Sequence, residues 1–139
     1  MSCYHTTCWY CDEELGERHE HDHVQPRRVG GTLTVPACLD CHNLKDRVTL
    51  NNWPADVAMR ALLAIADHEL LADARPAVAA VLSGEPLPVM PIRPEQDVMD
   101  AIRVLPSGPP RVLMAKMYAL GLDAARLSPS GAERVRARI

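Results

Sequence analysis

Four cysteines in two pairs carry the clearest chemistry in this chain: Cys8-Trp9-Tyr10-Cys11 and Cys38-Leu39-Asp40-Cys41, with 26 residues between the pairs. Two residues between cysteines let both thiolates of a pair turn toward one ion, and two such knuckles complete a closed tetrahedral site. The spacing predicts a structural zinc ion on Cys8, Cys11, Cys38 and Cys41. A disulfide framework fits less well, because the count is five and a reducing compartment would not maintain such bonds. Cys3 is the spare, expected as an unpaired surface thiol near the terminus, although Cys3-Tyr4-His5 could compete for the metal. In a segment this short, bound zinc is expected to substitute for a hydrophobic core.

Five of the six histidines also fall within residues 1–50. Between the knuckles runs Glu20-His21-Asp22-His23-Val24-Gln25-Pro26, followed by Arg27-Arg28 and Gly30-Gly31; after Cys41 come His42-Asn43-Leu44-Lys45-Asp46. Taken in order, CxxC, DHxxP, GG, and CxxCH with a lysine three residues on, the sequence resembles the HNH endonucleases, also called His-metal finger or ββα-metal nucleases. The likeness covers about residues 8–47, one third of the chain. It implies hydrolysis of DNA phosphodiester bonds, which needs a base to activate water and a cation to neutralise charge on the phosphate. By this resemblance His23, whose imidazole has an ordinary pKa near neutrality, would be the general base at the end of the first strand. Asp22 and His42 would hold a catalytic divalent metal, Mg²⁺ or Mn²⁺, with positions left open for phosphate and water. The helix bearing His42 also bears Cys38 and Cys41, so the zinc would fix that ligand against the base. Alignment matters, since a misplacement of ~1 Å can cost on the order of a hundredfold in rate.

The chain departs from the family pattern at one position. The middle Asn or His, which orients the base, has no clear counterpart; only 14 residues separate His23 from Cys38, with Thr32 and Thr34 the nearby polar side chains. The short gap is similar to that of phage junction-resolving endonucleases, which carry an acidic-His-acidic-His run before CxxCN. In that alignment His21 is the base, Glu20 replaces Asp22, and Asn43 competes with His42. Pro26, completing DHxxP, favours His23. Arg27, Arg28 and Lys45 flank the site and are expected to contact DNA phosphates. Trp9 and Tyr10 are expected to pack on the zinc loop, Trp53 to pack the module onto the helix after it, and His68 to lie at the surface.

These side chains need elements to hold them. Residues 20–24 read as a short strand, Gly30-Gly31 as a tight turn, 32–35 as a second strand closed by Pro36, and 38–48 as a helix. From Pro54 the pattern turns helical, with Val57, Leu62, Leu63, Ile65, Ala66, Leu70 and Leu71 on an apolar stripe. A second short helix is expected over 76–82, stopping at Gly84. Residues 84–94 contain four prolines and read as a semi-rigid linker. Helices over 95–104 and 110–122 follow, then a third helix or a basic tail over 129–139. The expected class is α+β: a zinc-stapled ββα-metal module over 1–50, a helical extension over 51–83, the linker over 84–94, and a basic helical region over 95–139.

Composition sets the outer bounds. Apolar residues are 47% of 139, but aromatics are only 4% and Phe is absent, which suits packed helices better than stacked sheets. No apolar run is long enough for a bilayer, and no basic-then-apolar leader begins the chain; a cytoplasmic protein without a membrane partner is expected. The net charge of −3 hides an asymmetry. Residues 101–139 hold 7 Lys/Arg against two acids, a candidate phosphate-seeking patch or merely exposed helix faces. DNA is the expected partner. Cutting both strands would favour a homodimer through the apolar helices, and the helical region could regulate or target the activity in a phage or bacterial defence setting. The second reading is a zinc ribbon that binds nucleic acid or protein without catalysis.

Overall fold

The computed structural model describes residues 7–68, 75–85, 88 and 94–126. Two short strands, β1 (Glu20–Asp22) and β2 (Val35–Ala37), pair antiparallel, with His21 opposite Pro36 and Asp22 opposite Val35. The expected second strand over 32–35 is displaced toward the C-terminus. Its first residues are drawn aside: the Thr32 and Leu33 amides and the Thr32 hydroxyl all donate to the Glu95 carboxylate at 3.1–3.2 Å. Pro36 lies inside β2 rather than closing it. Its carbonyl accepts from the Trp9 amide at 2.8 Å, away from β1, so the missing N–H costs the ladder nothing.

Between the strands, a 3-10 turn over Arg27–Val29 leads into the glycine pair, which is needed twice over. Gly30 has φ of 89°, and a Cβ on Gly31 would sit 1.8 Å from the Gln25 carbonyl oxygen. The helix α1 (Leu39–Asp46) starts immediately after β2, with the Cys38 thiol accepting from the Cys41 amide at its first turn. Its other end is closed from outside. Trp53 is buried and its indole N–H donates to the Leu44 and Val48 carbonyls, so it clasps the end of α1.

The remaining helices are α2 (Ala55–Asp67), α3 (Arg75–Ser83), α4 (Glu95–Arg103) and α5 (Pro109–Arg126). With the two-stranded sheet they make an α+β fold. Ala61, Leu62 and Ile65 face inward from α2, while Leu63 is exposed and departs from the expected stripe. Gly84 ends α3 with a φ of 77°. His68, partly exposed, caps α2; Leu70 and Leu71, most of 84–94, and 129–139 lie outside the described residues. No helix among the described residues is long and apolar enough to cross a membrane.

The helix α5 organises the rest, packing on α1, α2 and α4. Val112, Leu113, Ala115 and Met117 are fully buried, and even Lys116 is covered, as expected where a helix is enclosed on all sides over residues 111–119. One continuous buried cluster runs from Cys8 and Tyr10 through Trp53 and Ile65 to Ile102 and Leu113. The zinc-type knuckle therefore has a hydrophobic core behind it, contrary to the expectation that metal alone would replace one. Each fully buried Ile or Leu contributes about 1.5–3 kcal/mol relative to exposure.

Two arginines of the C-terminal helices also hold the first knuckle. Arg111, buried, donates to the carbonyls of Leu105, Arg103, Trp9 and Tyr10 and to the Asp12 carboxylate. Arg103 donates to the Trp9 carbonyl at 2.6 Å and to Asp12, and stacks over the Trp9 ring. The hydrogen bond from Arg103, then that from Arg111, holds the Asp12 carboxyl below its ordinary range. The buried Lys116 ammonium donates to the Lys45 and Val48 carbonyls at the end of α1. Three of the seven cations in the candidate basic patch are therefore fastened to the N-terminal module.

Candidate metal centres and the adjoining cleft

The four knuckle thiols converge, all four sulfurs lying within 4.8 Å of one another. Sulfurs bound ~2.3 Å from one tetrahedral zinc would be about 3.8 Å apart. Cys11 Sγ and Cys38 Sγ are 3.9 Å apart, so the donor set fits a single ion such as zinc. Local backbone geometry creates this arrangement. Asp12 takes a left-handed conformation with φ of 63°, its amide bonds back to the Cys8 carbonyl, and the Cys8 amide donates to the Glu13 carbonyl. The second pair occupies the first turn of α1. The thiols are electrostatically unequal by themselves: a hydrogen bond with Cys41 lowers Cys8 to about 4, and burial raises Cys11 to about 11. The same bond to Cys8, followed by burial, raises Cys41 further. A divalent ion removes that conflict by letting all four stand as thiolates.

One turn along α1 lies a second convergence, of harder donors. Asp22 from β1, and His42 and Asp46 from α1, bring one nitrogen and two oxygens within 4.8 Å of each other. His42 Nδ1 is 3.5 Å from Asp22 Oδ1 and 3.4 Å from Asp46 Oδ2, yet it is buried without a hydrogen-bond partner. Neighbouring ligands around a small hard cation at ~2.0–2.1 Å lie roughly 3 Å apart, so His42 Nδ1 stands close to that spacing from each carboxylate. An orphaned ring nitrogen facing two carboxylates fits a divalent cation held by nitrogen and oxygen.

Asp22 is 3% exposed and accounts for both its oxygens. Oδ2 accepts from the Tyr10 hydroxyl at 2.5 Å, and Oδ1 accepts from the Lys45 ammonium at 3.3 Å. Tyr10 is itself fully buried in the first knuckle; burial first, and the Asp22 charge second, push its phenol well above its ordinary pKa. Lys45, read from the sequence as a phosphate contact, is buried with its ammonium engaged by Asp22, by Asp46 at 3.2 Å and by the His23 carbonyl at 3.3 Å.

These groups border a cleft of about 540 Å³. His21, Asp22, His23, Pro26, Arg27 and Arg28 line one side; His42, Lys45 and Asp46 line another, with Lys116 and Ala119 of α5 closing it. His23 is half-buried, while His21 is exposed and meets the His19 ring edge-on. Arg27 and Arg28 are exposed at the rim. Glu20 is exposed and stands outside the metal-type cluster, and neither it nor Asn43 lines the cleft. Thr32 is turned to Glu95, and neither Thr32 nor Thr34 lines the cleft.

The chain matches no protein-family model, no curated protein and no solved structure. Two participants escaped the sequence reading. Asp46 carried a usable signal, standing four residues after His42 on the same helix face. Lys116 carried none, because its partners are 68 and 71 residues away.

Proposed function

We propose that this protein is a metal-dependent DNA endonuclease of the ββα-metal type, with zinc on the four thiols as a structural ion. The observation that carries the reading is the convergence of Asp22, His42 and Asp46 beside His23, one helical turn from the thiols. Asp22, His42 and Asp46 would hold Mg²⁺ or Mn²⁺, which supplies positive charge against a phosphodiester oxygen and its leaving group. His23, at the cleft wall, takes a proton from water as general base; His21, on the same wall, is the other candidate. Arg27 and Arg28, exposed at the rim, hold the flanking phosphates. Two carboxylates against the single ammonium of Lys45 leave the cluster short of positive charge, which suits one added cation followed by a phosphate.

Plasmid DNA incubated with the protein and Mn²⁺ or Mg²⁺ should be nicked or cut, and EDTA should abolish the activity. His23→Ala should lower the rate by about 10²–10⁴-fold. Replacing Arg27 and Arg28 with Ala should weaken DNA binding and reduce its salt slope by about one per residue. Equal cleavage by wild type and His23→Ala would remove the assignment of the base.

Lys45 favours a second reading. A buried ammonium already bridging Asp22 and Asp46 can serve as the cluster's cation, as in a zinc ribbon that binds nucleic acid or protein without turnover. Tight binding with no cleavage under any divalent metal would support it.

A further inference from the structure

We infer that Tyr10 is a positioning residue for the Asp22–His42–Asp46 centre, making the first zinc-type knuckle part of that centre's scaffold. The inference rests on the proposed metal-binding role of Asp22. Tyr10 stands between Cys8 and Cys11, so its backbone is set by the knuckle itself. The Arg111 guanidinium and the Gly108 amide, at 3.3 and 2.7 Å, fix its carbonyl from the far side. Its ring is fully buried and meets Trp9 edge-on, with centroids 5.1 Å apart. A side chain held at both backbone and ring has little freedom, and its hydroxyl ends on Asp22 Oδ2.

The consequence lies in what remains of Asp22. A carboxylate can rotate to present either oxygen or both. With Oδ2 committed to Tyr10, Oδ1 is the atom left facing His42 and Lys45. Tyr10 thus selects which oxygen a cation meets, and restrains it before the cation arrives. Partners behind a metal ligand of this kind typically govern affinity or activity by about 10–100-fold. The four thiols and the Asp–His–Asp cluster are joined twice: through α1, which carries Cys41 and His42, and through the Tyr10 hydroxyl.

The test uses the full-length, zinc-loaded protein and Mn²⁺ alone as probe, followed by isothermal titration and Mn²⁺ electron paramagnetic resonance. Tyr10→Phe keeps the ring and deletes the hydroxyl. It should retain one zinc per chain and bind Mn²⁺ about tenfold or more weakly than wild type. Leu15→Ala provides the comparison, because it thins the same buried cluster and its side chain offers Asp22 no hydrogen bond. It should lower the melting temperature while leaving the Mn²⁺ dissociation constant within about twofold of wild type. Unchanged Mn²⁺ affinity in folded, zinc-loaded Tyr10→Phe would overturn the inference. So would equal weakening in both variants, which would reduce Tyr10 to packing. Wild type whose Mn²⁺ affinity depends on the Tyr10 hydroxyl yet cleaves no DNA would sink the nuclease reading and leave the positioning role standing.

Discussion

The two clusters of candidate ligands are neighbours on α1 but are built in opposite ways. The thiol cluster uses four identical soft donors, two from each knuckle, and the knuckle it closes is backed by Arg103, Arg111 and the buried core. The Asp22–His42–Asp46 cluster uses three hard donors, opens onto a cleft, and contains a competing ammonium. A closed thiolate set is suited to holding an ion permanently, whereas an open oxygen and nitrogen set leaves positions for water and phosphate. With the second on the helix that carries Cys41 of the first, an ion on the thiols would serve under the proposed function as an alignment device.

The contrast can be broken most severely at the thiols. Cys41→Ser should abolish stoichiometric zinc and unfold the β1–β2–α1 segment, since structural zinc supplies about 10 kcal/mol or more of apparent binding energy in small modules. Metal analysis together with hydrogen exchange would show it. Retention of zinc and amide protection in that variant would mean the core alone holds the segment. Next in size is Arg111→Met, which removes the guanidinium from four carbonyls and from Asp12. It should destabilise the protein by about 3 kcal/mol in denaturant unfolding, while Asp12, exposed enough to regain water, limits the loss. A change below about 1 kcal/mol would show that the clamp is incidental.

A smaller effect comes from pH. The folded-state pKa of Tyr10 is raised above its ordinary 10.0, chiefly by burial, so its contribution is complete below pH 10 and declines as pH rises toward the folded value. In that window the unfolded chain has released a proton that the folded chain keeps. Stability should fall by about 1.4 kcal/mol per pH unit from this group. Urea midpoints above pH 10 should decline less steeply for Tyr10→Phe than for wild type; parallel slopes would show that Tyr10 ionises as freely folded as unfolded.

What could be read from the sequence follows the range of the forces involved. Both CxxC knuckles, β1, α1 and the glycine turn depend on residues a few positions apart, and all were legible. Asp22 and His42 could be paired because the resemblance spans them, and the structure brings them together. The shift of β2 was not legible, because Glu95 captures Thr32 from 63 residues away. Nor was the burial of Lys45, which requires Asp22 on a separate strand and the covering helix α5. Three cations of the apparent basic patch were illegible for the same reason. Arg103, Arg111 and Lys116 look like a surface charge run in sequence, but their partners are backbone carbonyls and Asp12 in the N-terminal module.

The central claim is that two centres of different chemistry share α1, one structural and one open to exchange. Mn²⁺ titration of the zinc-loaded wild type and of His42→Ala tests it most directly, because His42 Nδ1 has no hydrogen bond to lose. Both proteins should carry one zinc and melt within a few degrees of each other. The wild type should bind one Mn²⁺, and His42→Ala should bind it about 100-fold more weakly. Mn²⁺ binding of equal strength in the two proteins, or none in the wild type, would contradict the account.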